Sequence, residues 1–395
     1  MRVLLCGWVG STNLGDELVH AGIRALVGPA ARIATISLTP TATVDAHGGT
    51  AIAHHRLDQL AHAARSADLV VFGGGGLLQD ETSPWNLPYH LARPLLARLG
   101  GTPWVGIGLG AGPLRSRAAR RSVALLRTAA GVTVRDAASQ ELLAEIGVES
   151  TLSADAAFHL VSDNGAGPGP STGPGSDVAT PAPGIPRPGV EVEQPGTGTS
   201  GRPTIAVSLR PWRTAPGTLE RWQPVSWRNG PASPPWFVPT VAAALDRLVA
   251  GTGAAIRFVA VQTDRDAALH TEVAAAMRHP SSAVVPDRSS LLTEIAAADA
   301  VIAMRYHAGS AATLSGRPGV LIGYSPKVDA LADSLGAGAA HLPFDRAALA
   351  ELDVAAARLL RSDGAPAAVR AARDRLVGRT AVDRALLAHI GVPRS

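Results

Sequence analysis

Short apolar runs alternate along this chain with longer stretches of helical period. Near the start, RVLLC (2–6) leads through a glycine-rich turn into DELVHAGIRALV, and DLVVF (68–72) leads into four glycines. PWVGIGLG (103–110) precedes the arginine-studded LRSRAARRSVALLRTAAG, and VTVRD (132–136) precedes AASQELLAEIG. The pattern returns further on with TIAVSLR (204–210), AIRFVAV (255–261), AVVP (283–286), DAVIAM (299–304) and PGVLIGY (318–324). Buried β-branched runs that feed helices of ten or so residues predict βαβ units and parallel sheets.

Between the two series lies a stretch of a different kind. Residues 165–203 contain ten Gly and nine Pro and no aliphatic period. Such a segment buries too little apolar surface to offset the ordering of its backbone, so it reads as a flexible linker or surface insertion. The expected division is therefore an N-terminal Rossmann-like domain over 1–162, a linker over 163–203, a second Rossmann-like domain over 204–345, and C-terminal helices over 346–395. Two open α/β domains would face one another across a cleft, with ligands gathered beyond the carboxyl ends of the strands.

Composition narrows the function. With 46% hydrophobic and 17% charged residues the 395-residue chain suits a well-buried globular protein. A net charge of +4, without a dense basic stripe interleaved with aromatics, gives no case for nucleic acid. One cysteine, Cys6, excludes an internal disulfide and a cysteine-based zinc cluster. The N-terminal apolar run is too short for a signal-peptide core and no later run reaches bilayer length, so a cytoplasmic protein is expected. Of 36 basic side chains only one is lysine, Lys327, in YSPKV.

Chemistry is to be sought just past the strands. In GWVGSTNLGDE (7–17) the glycines permit close backbone approach, Asp16 can cap the helix that follows, and Asn13 and Ser11 offer polar side chains; the spacing is not that of a dinucleotide fingerprint. In FGGGGLLQDE (72–81) the glycines, Gly74 and Gly75 among them, either expose N–H groups to an anion or admit a close neighbour, while Gln79 and Asp80 suit sugar hydroxyls. Arg135 ends the fourth run beside Asp136, where a site role and an ion pair are both open. Arg210 in SLRPW has the fork that binds carboxylate or phosphate at two points. Asp264 and Asp266 form a D-x-D string of the sort that holds metal in some glycosyltransferases, though a helix start equally favours acids. The densest cluster is MRYHAG (304–309): Arg305 is a permanent cation, Tyr306 follows, and His307 titrates closest to neutrality. His54, His55 and His62 lack a metal-binding pattern, and no metal or cofactor is expected.

Taken in order, GxxGxxNxGDE (7–17), GGGGLLQD (73–80), VRD (134–136) with Ser139, SLRPW (208–212), MRYHA (304–308) and YSPKV (324–328) resemble the polysaccharide pyruvyl transferases, most closely the bacterial branch that acts on cell-wall polysaccharide precursors. The resemblance implies a GT-B-like pair of Rossmann-type domains and transfer of a pyruvyl unit from phosphoenolpyruvate. The product would be a cyclic ketal, commonly bridging O4 and O6 of one sugar, with phosphate released. It also admits a lipid-linked saccharide acceptor, and with it peripheral contact at the inner face of the membrane through arginines 115, 117, 120, 121 and 127, although a solvated helix face is the plainer reading of those arginines. On this pattern Arg210, Arg305, Tyr306, His307 and Lys327 would hold the donor. Asn13, Asp16, Gly74, Gly75, Gln79, Asp80 and Arg135 would hold the acceptor, and His307, Asp16 and Lys327 would carry the chemistry as acid, base and phosphate-following cation. The Gly/Pro-rich stretch has no counterpart in the family pattern. A GT-B glycosyltransferase, a nucleotide-sugar epimerase or a non-catalytic saccharide-binding protein would use the same twin-domain frame.

Overall fold

The computed structural model describes residues 1–81, 85–161, 201–211 and 233–391. The Gly/Pro-rich stretch lies outside the described residues except at 201–203, and so does Trp212 of the SLRPW string. Among the described residues the strands form two sheets whose pairings are parallel throughout. The first sheet takes β1 (Arg2–Val9), β2 (Arg32–Ser37), β3 (Thr50–Ala53), β4 (Leu69–Leu78), β5 (Trp104–Ala111), β6 (Gly131–Val134) and β7 (Thr151–Leu152) in the order β3-β2-β1-β4-β5-β6-β7. The second takes β8 (Thr204–Ser208), β9 (Ala255–Val259), β10 (Ser281–Val284), β11 (Ala300–Ala303), β12 (Gly319–Gly323) and β13 (Ala339–Pro343) in the order β10-β9-β8-β11-β12-β13. Strand order reverses between β1 and β4 and again between β8 and β11, and a ligand crevice opens at such a switch point.

Both faces of each sheet are covered, which is why the strands read as continuous apolar runs. On β1, Leu4 and Cys6 enter one cluster and Val3 and Leu5 the other. On β11 and just beyond it, Val301 and Ala303 face one way, Ile302 and Met304 the other. Period-two alternation is still present, but every position is apolar because helices pack on both sides.

The strand read as ending at Phe72 continues through its glycines to Leu78. The helix Leu14–Val27 lies directly on it: a Cβ on Gly74 would fall 1.8 Å from a Val19 methyl, and Gly74 and Gly75 both adopt positive φ. Of the two roles left open for these glycines, close packing is the one Gly74 performs.

The domains share an apolar seam. Leu14, Leu18, Phe158 and Val161 of the first pack in one cluster with Tyr306, Leu314 and Leu376 of the second. Backbone bonds cross beside it, from Leu14 N to Val261 O at 2.8 Å and from Thr263 N to Thr12 O at 2.9 Å. Of the C-terminal helices, Arg346–Ala350 and Leu352–Leu360 stay with the second sheet, but the last does not. The helix Ala381–His389 returns to pack on β6 and on Leu14–Val27, where the buried Asp383 accepts from Ser153 Oγ at 2.7 Å and lies 2.9 Å from His159 Nε2. Among the described residues no helix is long and apolar enough to cross a membrane.

Candidate active site

Both switch points contribute to one cleft, and its centre is where the helix Leu14–Val27 begins. Asn13, rather than the expected Asp16, caps that helix, its side-chain oxygen accepting from Gly15 N at 3.2 Å while its Nδ2 donates to Asp16 Oδ2 at 2.6 Å; Asp16 falls within the first turn. Against this first turn lies the imidazole of His307. A Cβ on Gly15 would fall 2.0 Å from His307 Nδ1, so glycine is the residue that lets the helix start and the ring touch. Gly75 approaches from β4, its would-be Cβ 3.1 Å from Asp16 Oδ1.

Half-buried Asp16 is pushed up to about 6 by burial, against the pull of His307, the Asn13 hydrogen bond and Lys327; its neighbour Glu17 adds to the rise. A carboxyl poised there accepts or gives a proton near neutrality. His307 has a second acid at its other nitrogen. Its Nε2 is buried without a hydrogen-bond partner and stands 3.8 Å from Asp155 Oδ2, an ion-pair distance. Burial would raise Asp155, yet His307, Arg135 and the Ala157 N–H hold it down at about 2.

Arg135, expected on the acceptor side, is buried in the seam. Its guanidinium lies 3.2 Å from Asp155, 3.4 Å from Asp136 and 4.3 Å from the centre of the Tyr306 ring. The fixed cation therefore holds Asp155 ionised and in place beside His307. Tyr306 is the apolar wall beneath Arg135, with its hydroxyl driven well above the ordinary tyrosine range by burial.

On the second-domain side three cations meet around a tyrosine that the sequence reading did not single out. Arg210 lies 4.4 Å from the centre of the Tyr324 ring and the Lys327 ammonium 5.8 Å from it. Burial alone would raise the Tyr324 phenol; Lys327, Arg210 and Arg305 together bring it down to about 7. That depression measures a strongly positive local potential, the condition an anion pocket requires. Arg305 is itself fixed by the buried Asp266, which accepts from its Nε at 3.0 Å and also takes the Gln262 N–H at 2.8 Å. The two acids of the D-x-D string part company: Asp266 turns in to Arg305, while Asp264 accepts from Thr12 Oγ1 at 2.6 Å. Among the described residues no group of three His, Cys, Asp or Glu side chains is placed to hold a metal ion.

Gln79 and Asp80 stand at the outer end of β4. The Asp80 carboxylate accepts from the Arg115 and Ser116 N–H groups at 2.8 and 2.9 Å, and Gln79 Oε1 accepts from Glu81 N at 2.7 Å. The structure thus uses Asp80 to hold the loop before the helix Arg117–Val123. Glu17, next to Asp16, points out of the cleft: it accepts from Gly10 N at 2.8 Å and pairs with His47 at 2.7 Å and Arg288 at 3.5 Å, which fixes the loop before Asn13. Along the chain Glu17 stands out only as the last letter of GDE, and Asp155 not at all.

Solved structures share this frame at low sequence identity. HepE of Anabaena, in complex with UDP and glucose, superposes with a TM-score of 0.59 at 14% identity, over 98% of this chain and 98% of that one. The UDP-GlcNAc 2-epimerase of Methanocaldococcus jannaschii gives 0.55 at 9%, over 94% and 99%. The spinosyn rhamnosyltransferase SpnG gives 0.52 at 14%, over 98% and 100%. These likenesses establish the GT-B fold. No curated protein is matched by sequence. The model of one family, polysaccharide pyruvyl transferase, matches residues 13–326, a span running from the capping Asn13 past Arg210 and Arg305 to Pro326, one residue short of Lys327, and the chain belongs to that family.

Proposed function

We propose that this cleft moves a pyruvyl unit from phosphoenolpyruvate to a saccharide, forming a cyclic ketal and releasing phosphate. The observation that carries the reading is the convergence of Arg210, Arg305 and Lys327 on Tyr324, within electrostatic reach of a carboxyl–imidazole pair formed by Asp16 and His307. A donor with a carboxylate and a phosphate needs several fixed cations, and a ketal needs both an acid and a base.

In the first step a proton passes to the methylene carbon of the enol ester, and C2 becomes an oxocarbenium centre. His307 gives that proton, its charged form steadied by Asp155 on one side and Asp16 on the other. One sugar hydroxyl adds to C2 and loses its proton to Asp16. A second hydroxyl of the same sugar then closes on C2 and returns its proton to the now neutral His307, while the C2–O bond to phosphate breaks and phosphate leaves with the bonding pair, carrying off the proton held by Asp16. Lys327 follows it: a compact ammonium on a flexible stem tracks a departing anion, whereas a guanidinium is committed to one fork geometry. The first-domain crevice, with Asn13, Gly75, Gln79 and Asp80 along it, takes the saccharide, and a lipid-linked precursor of a cell-wall or extracellular polysaccharide is the acceptor class proposed.

The test is phosphate release from phosphoenolpyruvate that depends on an added diol-bearing saccharide, with a product heavier than the acceptor by one pyruvyl ketal. Thermal shift against a panel of UDP-sugars separates the rival reading. Stabilisation by UDP-sugars and none by phosphoenolpyruvate would place the chain with the nucleotide-sugar enzymes that share its fold.

A further inference from the structure

The helix Asn86–Leu99 turns a stripe of apolar residues to solvent. Trp85, Pro88, Ala92, Leu95 and Leu99 follow at spacings of three and four, so they lie in line on one side, where a surface helix ordinarily carries charge. Trp85 is 76% exposed, Leu99 75% and Leu95 41%, and Leu57, at the start of the neighbouring helix Leu57–Ser66, is 67% exposed. Between the two helices runs a groove of about 150 Å³ lined by Leu57, Leu60, Tyr89, Ala92, Arg93 and Leu96. These are four of the seven large apolar side chains exposed among the described residues, gathered in one place.

We propose that this face is a docking surface for an anionic lipid bilayer. Its charge supports that occupant. Arg98 lies on the helix, Arg65 beside its end, and Arg117 and Arg121 on the helix Arg117–Val123 that packs against it; all four are exposed and carry no ion pair among the described residues. The acids nearby, Asp58 and Glu81, are each paired to an arginine of their own, Arg56 and Arg115. An apolar stripe bordered by free guanidiniums matches acyl chains beneath anionic headgroups. A second copy of the chain fits poorly, because a twofold contact would set these like charges against one another.

The face also adjoins the cleft. Asn86 Nδ2 donates to Leu77 O and Gln79 O, each at 2.8 Å, so the Trp85 end of the stripe is tied to the outer end of β4. A saccharide carried on a membrane lipid would reach the first-domain crevice from that side. This link to catalysis rests on the pyruvyl-transfer reading; adhesion to the bilayer does not.

Flotation of the full chain with phosphatidylcholine vesicles, with and without about one-third phosphatidylglycerol, tests the surface. The protein is expected to float with the anionic vesicles alone and to lose about tenfold in partitioning between roughly 0.1 and 0.5 M NaCl. Leu95→Ser with Leu99→Ser, and separately Arg98→Glu with Arg121→Glu, are each expected to lose about tenfold or more, with acceptor-dependent phosphate release on a soluble saccharide unchanged. Absence of flotation, or equal flotation of both double variants, overturns the proposal. So does a wild-type dimer by light scattering that the leucine variant converts to monomer. Loss of phosphate release from every form, with flotation intact, would instead count against pyruvyl transfer.

Discussion

Gly15 and His307 are in such close contact that the helix start and the imidazole leave no space for a single methyl group between them. The contact ties the first domain's switch-point helix to the second domain's proposed acid. Gly15→Ala adds a good helix former at a helical position, but its methyl would lie 2.6 Å from His307 Cβ, so the seam must open slightly and some stability is lost with it. The ring must then move by an ångström or more, and misplacement on that scale costs about 100-fold in rate. Phosphate release should fall by about that factor with donor affinity nearly kept; an unchanged rate would show that His307 is not poised against this turn during turnover.

Asp16 makes two pH predictions of definite sign. A base must be ionised to act, so kcat/KM should fall as the pH drops through about 6, and Asp16→Asn should remove nearly all turnover. Its folded pKa lies above the unfolded value, so its contribution to stability is fully present below about 4 and is lost as pH rises through 6. Asp16→Asn should therefore leave stability unchanged near pH 3.5 to 4 and raise it by up to about 3 kcal/mol near pH 8. Urea unfolding at the two pH values checks this; equal effects at both would mean that Asp16 titrates normally.

Asp266 is the buried counter-ion of Arg305 and also satisfies two backbone N–H groups, those of Val261 and Gln262. Asp266→Ala leaves a guanidinium and two donors without a partner, a loss of about 3–5 kcal/mol. The midpoint of chemical denaturation should fall accordingly, with a weaker hold on phosphoenolpyruvate in whatever remains folded. A cost below about 1 kcal/mol would show that Arg305 finds another anchor.

The parallel sheets and strand-end cations could be read along the chain because β1, β4, β5, β8, β11 and β12 are covered on both faces and so form unbroken apolar runs. β3, β7 and β13 sit at or near sheet edges and are only partly buried, so TAIA, TL and AAHLP carry no such signal. β2 is well buried but was hidden between the helix before it and a polar stretch after it. In the site, Arg210, Arg305, His307 and Lys327 announced themselves by charge at strand ends. Asp155 did not, and Asp266 drew notice only as half of a D-x-D string, since an acid that turns inward to fix a cation is written like any acid at a helix start. Arg135 looked like a ligand-binding arginine for the converse reason: only the fold shows Asp136, Asp155 and Tyr306 closing around it.

Tyr324 offers the most direct measure of the potential in the proposed donor pocket. Its phenol, brought down to about 7 by Lys327, Arg210 and Arg305, ionises within the working pH range. Below that pH the phenol is neutral and leaves the pocket's positive potential to the donor's negative charges. Above it the phenolate partly neutralises them and competes with the donor, so KM for phosphoenolpyruvate should rise with pH through about 7. Tyr324→Phe keeps the ring under Arg210 and removes the titrating oxygen. The variant's KM should match wild type near pH 6 and stay flat to pH 8.5, where wild type should be weaker by about tenfold. Ultraviolet difference spectra give an independent reading, since the wild-type tyrosinate band should grow near pH 7 and be suppressed by bound phosphoenolpyruvate. A wild-type KM that is level across this range, or a tyrosinate band that grows only near pH 10, would mean that the three cations do not converge as the structure has them.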